Sequence, residues 1–308
     1  MIGYPITLID LTRLVSARFP AKRNRDGTPR KNAIRPWRGR ARQQTDRLRS
    51  QGFYSGDEKT EIWSELNRLF AALQGGGKCA YCETRLADHK REGVRGDIEH
   101  YRPKAGVIDW PNKHNLSTGG SDPHAYYLLA FHLRNYLLAC DTCNREFKRN
   151  YFPIAGPRCP AHSRRPRDLK RERPYLLHPL DPTDEDPEQL IEFIGIDPVP
   201  RAPQGTPQYW RAVVTIELLG LGRGKRFNLD FERSLVMAGL YQALNAVDPT
   251  DPIVVRTINA LQDDTWPHVN CLRSFKRLHD KDPRRAKLLV EEATTFVDKV
   301  WANRKQLP

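Results

Sequence analysis

Two short cysteine pairs and an acid–histidine doublet are the parts of this sequence whose types and spacing can do chemistry. Cys79-Ala-Tyr-Cys82 and Cys140-Asp-Thr-Cys143 each hold two thiols with two residues between them. A tight turn at that spacing aims both sulfurs at one point, and four such thiolates suit tetrahedral zinc, at about 2.3 Å per Zn–S bond. One pair alone is ambiguous with a redox motif, whereas two pairs favour a structural metal site over buried free cysteines. Four protein ligands leave no open position for substrate, so a zinc held here would be structural. The pairs are separated by 57 residues, too many for a simple zinc ribbon, so something folded must sit inside the clamp. Cys159-Pro-Ala-His162 has ligand-like spacing without a second pair to complete it, and Cys271 reads as a core filler.

Inside the clamp, Gly96-Asp-Ile-Glu-His-Tyr-Arg-Pro-Lys104 follows the first pair, and Arg134-Asn-Tyr-Leu-Leu-Ala-Cys140 leads into the second. The second pair runs straight on into Cys143-Asn-Arg-Glu-Phe-Lys148. His100 can accept a proton near neutral pH. Glu99 offers oxygen ligands to a hard cation, and Asp97, two residues back, competes for that role. Alternation along a strand puts Asp97 and Glu99 on one face and His100 on the other.

An acid-His doublet, an Asn before a second strand, and Cys-x-x-Cys-Asn-x-x-x-Lys opening a helix resemble the HNH (ββα-metal) nuclease superfamily. The match covers about residues 78 to 153, and Asn144 stands where many members have a third histidine. The resemblance implies a small zinc-clamped ββα-metal core and hydrolysis of phosphodiester bonds in nucleic acid, DNA first. It casts His100 as general base, Glu99 and Asn144 as ligands of a catalytic Mg²⁺, and Asn135 as an orienting residue. It also implies a backbone bend, near Arg102-Pro103, that lets Glu99 and His100 serve one site. Lys104, Arg145, Lys148 and Arg149 would contact phosphates. Tyr101-Arg-Pro-Lys104, the aromatic stretch before Asn135, Phe152-Pro153, and Thr215-Ile-Glu-Leu-Leu-Gly-Leu-Gly-Arg223 followed by Arg233 are similar to the HNH subunits of bacterial anti-phage systems. The Septu-type and retron-associated ones compare best, over about residues 78 to 245, although Gly222 stands where that family often shows Asn. That likeness implies an ATPase partner. The chain has no Gly-x-x-x-x-Gly-Lys-Ser/Thr loop of its own, so nucleotide dependence would come from the partner.

The whole chain must carry this unit. Its 308 residues suit roughly two domains and a real core. A net charge of +14 and a pI near 9.6 point to a polyanionic partner. The absence of an obvious leader or long apolar run predicts a cytoplasmic protein with no membrane partner. From Arg13 to Arg49 there are thirteen Lys or Arg residues against Asp26 and Asp46, read as a basic arm whose centre, Arg23 to Lys31, is too polar to pack. A helix capped by Ser55 or Asp57 and carrying Ile62, Leu66, Leu69, Phe70 and Leu73 then ends at Gln74-Gly-Gly-Gly77.

Within the clamp, a loop over 110–121 and a short helix over 123–133 are expected, the aromatics of the latter packing a core rather than stacking bases. His114, His124 and His132 read as ordinary. Arg158 to Arg173 is a second basic segment, a linker or phosphate loop, and Leu180 to Pro187 is an acidic joint. A short strand over 190–194 and helices over 209–219, 228–244, 252–261 and 284–301 complete an α+β, mostly helical chain. It divides into residues 1–77, 78–155 and a partner-binding 156–308. Competing readings are a zinc-stabilised nucleic-acid-binding scaffold that does not cut, and a stand-alone restriction or homing-type HNH enzyme.

Overall fold

The computed structural model describes residues 1–18, 36–56, 62–86, 95–111 and 113–304. The polar centre of the basic arm and Asp57 lie outside these. The flanks of the arm are helical. Helix α1 (Leu8–Arg18) buries Leu11 and Val15. Helix α2 (Trp37–Gln51) buries Trp37, Ala41, Thr45 and Leu48, a three-to-four-residue spacing that makes one inward stripe on an otherwise basic helix. It ends where Gly52 turns left-handed and returns its N–H to the Leu48 carbonyl.

A tight 3₁₀ turn, Ile62–Leu66, leads into α3 (Asn67–Leu73). The chain then reverses through Gly75, Gly76 and Gly77, at φ of 59°, 68° and 101°, values that exclude most side chains. Gln74 fixes this reversal to the next element. Its amide donates to the Lys78 and Leu138 carbonyls at 3.1 and 2.8 Å and accepts from the Leu138 N–H at 2.8 Å.

Strands β1 (Gly96–His100) and β2 (Tyr136–Cys140) pair antiparallel, with Glu99 opposite Leu137 and His100 opposite Tyr136. A short, wide-turned helix, Thr142–Lys148, follows directly. Its i→i+5 bonding is visible where the Arg149 N–H donates to the Asn144 carbonyl at 2.8 Å.

The helix expected over 123–133 is not formed. Tyr126 adopts a left-handed conformation (φ 60°), and only 3₁₀ turns at Tyr127–Leu129 and Leu133–Asn135 flank the interruption. All residues from Ala125 to Phe131 are buried, so no solvent face exists to support an amphipathic helix, and these aromatics pack the core.

The rest of the chain is mostly helical: α4 (Pro166–Arg171), α5 (Pro187–Leu190), α6 (Pro207–Leu218), α7 (Phe227–Leu244), α8 (Pro252–Asn259), α9 (Val269–Lys281) and α10 (Pro283–Arg304). Between α5 and α6, β3 (Ile191–Ile194) pairs antiparallel with β4 (Asp197–Pro200), a strand hidden in the sequence by Pro198 and Pro200. The fold is thus α+β, with two small antiparallel sheets among the described residues.

One core joins Trp37 and Phe70, the strands, and Leu176 and Leu218, so it draws on all three segments proposed from sequence. A second core, around Met237, Leu272, Phe275 and Val290, belongs to the C-terminal helices. Cys271 is fully buried, its thiol facing the Gly195 carbonyl at 3.5 Å.

The basic segment after residue 157 is bound into the first core rather than hanging between units. Buried Glu172 pairs with Arg102 and accepts from the Tyr126 hydroxyl and the Cys159 N–H. Arg158 donates to the Gly120 carbonyl at 2.7 Å and to the Tyr126 hydroxyl at 2.8 Å. In the acidic joint, Asp184 and Glu185 hold Arg211, and Asp186 caps α5. No helix among the described residues is long and apolar enough to cross a membrane.

Candidate metal centre and adjoining cleft

β2 and the wide-turned helix carry the second cysteine pair, and the turn after the glycine reversal carries the first. The Sγ atoms of Cys79, Cys82, Cys140 and Cys143 lie within 4.8 Å of one another, and all four residues are buried. Backbone N–H groups of Cys140 and Cys143 point at the Cys79 and Cys140 sulfurs at 3.3 and 3.4 Å. Arg226, just before α7, sets its guanidinium 3.1 Å from the Cys143 sulfur and within 3.8 Å of those of Cys82 and Cys140. Hydrogen bonds from Cys140 and the other thiols, with Arg226 adding its charge, hold Cys82 well below the usual thiol range. Four soft, converging donors fit zinc, and the arginine offsets the excess negative charge of a tetrathiolate.

Beside this cluster lies an open cleft of about 500 Å³. Its walls include Glu99, His100, Asn144, Lys104, Arg145, Arg149 and Asp97, residues that are far apart in sequence. Glu99 and His100 share one cleft at the end of β1, where the chain bends at Tyr101 and Arg102. Buried Asn135 holds that bend. Its amide donates to the Arg102 and Leu129 carbonyls at 2.9 and 3.2 Å and accepts from the Arg102 N–H at 2.8 Å.

His100 is 5% exposed, with its Nε2 3.0 Å from the Ala130 carbonyl. A carbonyl can only accept, so Nε2 carries the proton and Nδ1 keeps the lone pair. The ring is gripped edge-on by Trp63 and Tyr136, at 4.8 and 5.2 Å between centroids. The Tyr136 hydroxyl donates to the same Ala130 carbonyl at 2.7 Å. Burial, reinforced by Lys104 and Lys148, holds the imidazole well below its usual pKa, so it is neutral at physiological pH.

Lys148 differs from its sequence-based role. An exposed phosphate contact was expected, but its ammonium is fully buried, ion-paired with Glu99 and bonded to the His100 carbonyl at 3.0 Å. Glu99 is itself buried, which raises its pKa against the pull of Lys148. Asp97 is more exposed and is drawn to Arg145 at 2.9 Å, which also reaches Asp141 at 3.4 Å. Lys104 lies over Trp63, 4.7 Å from its centroid, and Arg149 over Tyr151.

Sequence reasoning missed Trp63, Tyr136, the Ala130 carbonyl and Arg226. The strand register opposite His100 would have found Tyr136. Nothing local in the sequence marks Arg226.

Part of the chain is similar to two proteins of Bacillus mycoides. The Septu protein PtuB is 36% identical over 117 residues, 38% of this chain and 35% of that protein. The Septu protein PtuA is 29% identical over 151 residues, 48% of this chain and 18% of that protein. The chain therefore spans about a third of the one relative and under a fifth of the other. No family profile and no solved structure matches it.

Proposed function

We propose that the cleft is the active site of an HNH-type endonuclease acting in a Septu-like anti-phage system. One observation carries the reading: a neutral, buried histidine has its tautomer fixed by a carbonyl and shares a cleft with Glu99 and Asn144. His100 takes the proton of an attacking water on Nδ1, while Trp63, Tyr136 and Ala130 keep the ring from rotating. Hard oxygen donors on Glu99 and Asn144, with Asp97 nearby, suit Mg²⁺ better than a softer ion. Such a cation, when bound, would neutralise charge at phosphorus and on the departing oxygen. Lys148 keeps the buried Glu99 ionised, Asn135 holds the bend, and Lys104, Arg145 and Arg149 meet the phosphates at the mouth.

The similarity to PtuB and PtuA supports a defence role. From the resemblance to the HNH subunits of anti-phage systems we assign the licensing of cleavage to an ATPase partner, and any nucleotide dependence to that partner. A scaffold that only binds nucleic acid would need the cysteines and the basic surface. It would have no use for burying a histidine in one tautomer.

The test is nicking of supercoiled plasmid by the chain together with its genomic neighbour, in Mg²⁺. His100→Ala should abolish nicking while zinc content and Tm are retained. Wild-type cutting by that variant overturns the assignment.

A further inference from the structure

A second cavity, about 750 Å³ and distinct from the cleft, is lined by α2 and the chain around Phe131 and Arg164. Two basic segments more than a hundred residues apart in sequence converge there. Arg38, Arg42 and Arg49 come from one face of α2, and Arg164 comes from the segment before α4. Arg38, Arg42 and Arg49 are exposed. Among the described residues Asp46 is the one carboxylate on the wall, and it is held by Arg49 at 2.5 Å.

Arg164 is half-buried, and its Nε is shut away from solvent with no hydrogen-bond partner in the protein. A buried guanidinium donor normally finds an acceptor. Burial and the cation Arg49 lower the pKa of Arg164, against the pull of Asp46. His132 on the same wall is pushed down to about 4 by burial and by Arg164 and Arg134, and four arginines against one carboxylate give the described wall its positive charge.

The spacing says which anion fits. Residues 38 to 49 of α2 extend for about 16 Å at ~1.5 Å per residue, and i,i+4 neighbours stand ~6 Å apart. A row of that length matches successive phosphates better than a single small anion. The wall also adjoins the cleft. Phe131 and His132 follow Ala130, whose carbonyl holds His100, and the Trp63 ring is 5.4 Å from Phe131 and 4.8 Å from His100.

We infer that this cavity is a second nucleic-acid site, gripping a run of backbone phosphates on the strand that leaves the cleft. Arg38, Arg42 and Arg49 line its length, and Arg164 supplies the inner donor. The inference rests on the nuclease reading for its choice of strand, but the site's chemistry, a chain of phosphates, stands on the cavity alone.

The experiment uses the full chain with Arg38→Gln, Arg42→Gln and Arg164→Gln, each substitution also placed in the His100→Ala background so that the probe is not cut. The probe is a fluorescein-labelled 20-nucleotide DNA strand, alone and annealed to its complement, followed by anisotropy across salt concentrations. Removing three phosphate contacts should weaken binding about tenfold or more at 0.1 M salt and lower the slope of log affinity against log salt by ~2. The triple variant should melt at the same temperature as its parent or higher, since it sheds unneutralised like charge. Unchanged affinity and slope, or a Tm drop that accounts for the loss, overturns the proposal. Equal displacement of the probe by ATP at matched phosphate concentration would overturn the strand in favour of a mononucleotide site.

Plasmid nicking by the otherwise wild-type chain separates the two readings. With the genomic neighbour and Mg²⁺ present, nicking with an unchanged salt slope in the variant sinks only the cavity, whereas a reduced slope without nicking sinks only the nuclease.

Discussion

The thiolate cluster and the cleft share one frame, the β1–β2 pair and the wide-turned helix after it, yet they are built on opposite plans. In the cluster, four identical donors converge from two turns, all buried, with a single arginine laid across them. In the cleft, unlike groups are held apart by different means: His100 by ring packing and a carbonyl, Glu99 by a buried ammonium, Asp97 by a surface arginine. The adjacent residues Cys143 and Asn144 fall one into each site. A closed set of like ligands is a device for stability, and an open set of unlike groups is a device for chemistry.

The sharpest way to break this contrast is to remove the clamp. Cys140→Ser should lose zinc and cooperative folding together, because structural zinc supplies apparent stabilisation on the order of 10 kcal/mol. Zinc content by atomic absorption and a thermal melt would check it. A native melt without metal would mean that the cluster is not structural.

Next in size is Lys148→Met, which strands the Glu99 carboxylate in the interior and should cost about 3–5 kcal/mol in urea unfolding. Adding Glu99→Gln should restore most of that loss. If Lys148→Met alone is neutral, the ammonium is dispensable to the stability of the buried Glu99.

The smallest effect is in pH. A base must be neutral to accept a proton, and the folded pKa of His100 is depressed by burial and by Lys104 and Lys148. Cleavage should therefore change less than about twofold between pH 7.5 and 6.5, where an ordinary histidine becomes half-protonated near ~6.5. The same depression means that the unfolded chain binds the proton first. The stability His100 contributes is thus full above the ordinary histidine range and declines as pH falls below it. A rate that halves near pH 6.5 would show an imidazole in ordinary solvent contact.

The parts of this molecule that could be read from sequence are those encoded by local repetition. The cysteine spacing announced the four-thiol cluster, and the apolar periodicity of 228–244 and 284–301 lies within α7 and α10. The alternation argument placed His100 opposite Glu99, yet both residues line one cleft at the end of β1. Lys148 was misread because at α-helical spacing it looks like one more basic residue beside Arg145 and Arg149. The wider i→i+5 turn changes the phase of the helix and sends its ammonium inward. The aromatic run 125–131 was misread as an amphipathic helix because burial on every side leaves no polar face to betray the local break at Tyr126. Arg226 and Glu172 act at distances in sequence that no local pattern reports.

The pairing of Glu99 with Lys148 also dictates when the cleft can exist during synthesis. The ribosome makes β1 first, and 35 residues separate it from β2. Ala130 and Tyr136, which hold the His100 ring, are made before the wide-turned helix, but until that helix emerges Glu99 has no counter-charge to carry it into the interior. A nascent chain that stalls before residue 148 therefore carries the base and the carboxylate but no assembled site. The order of the residues themselves thus delays the cleft until its last wall is made.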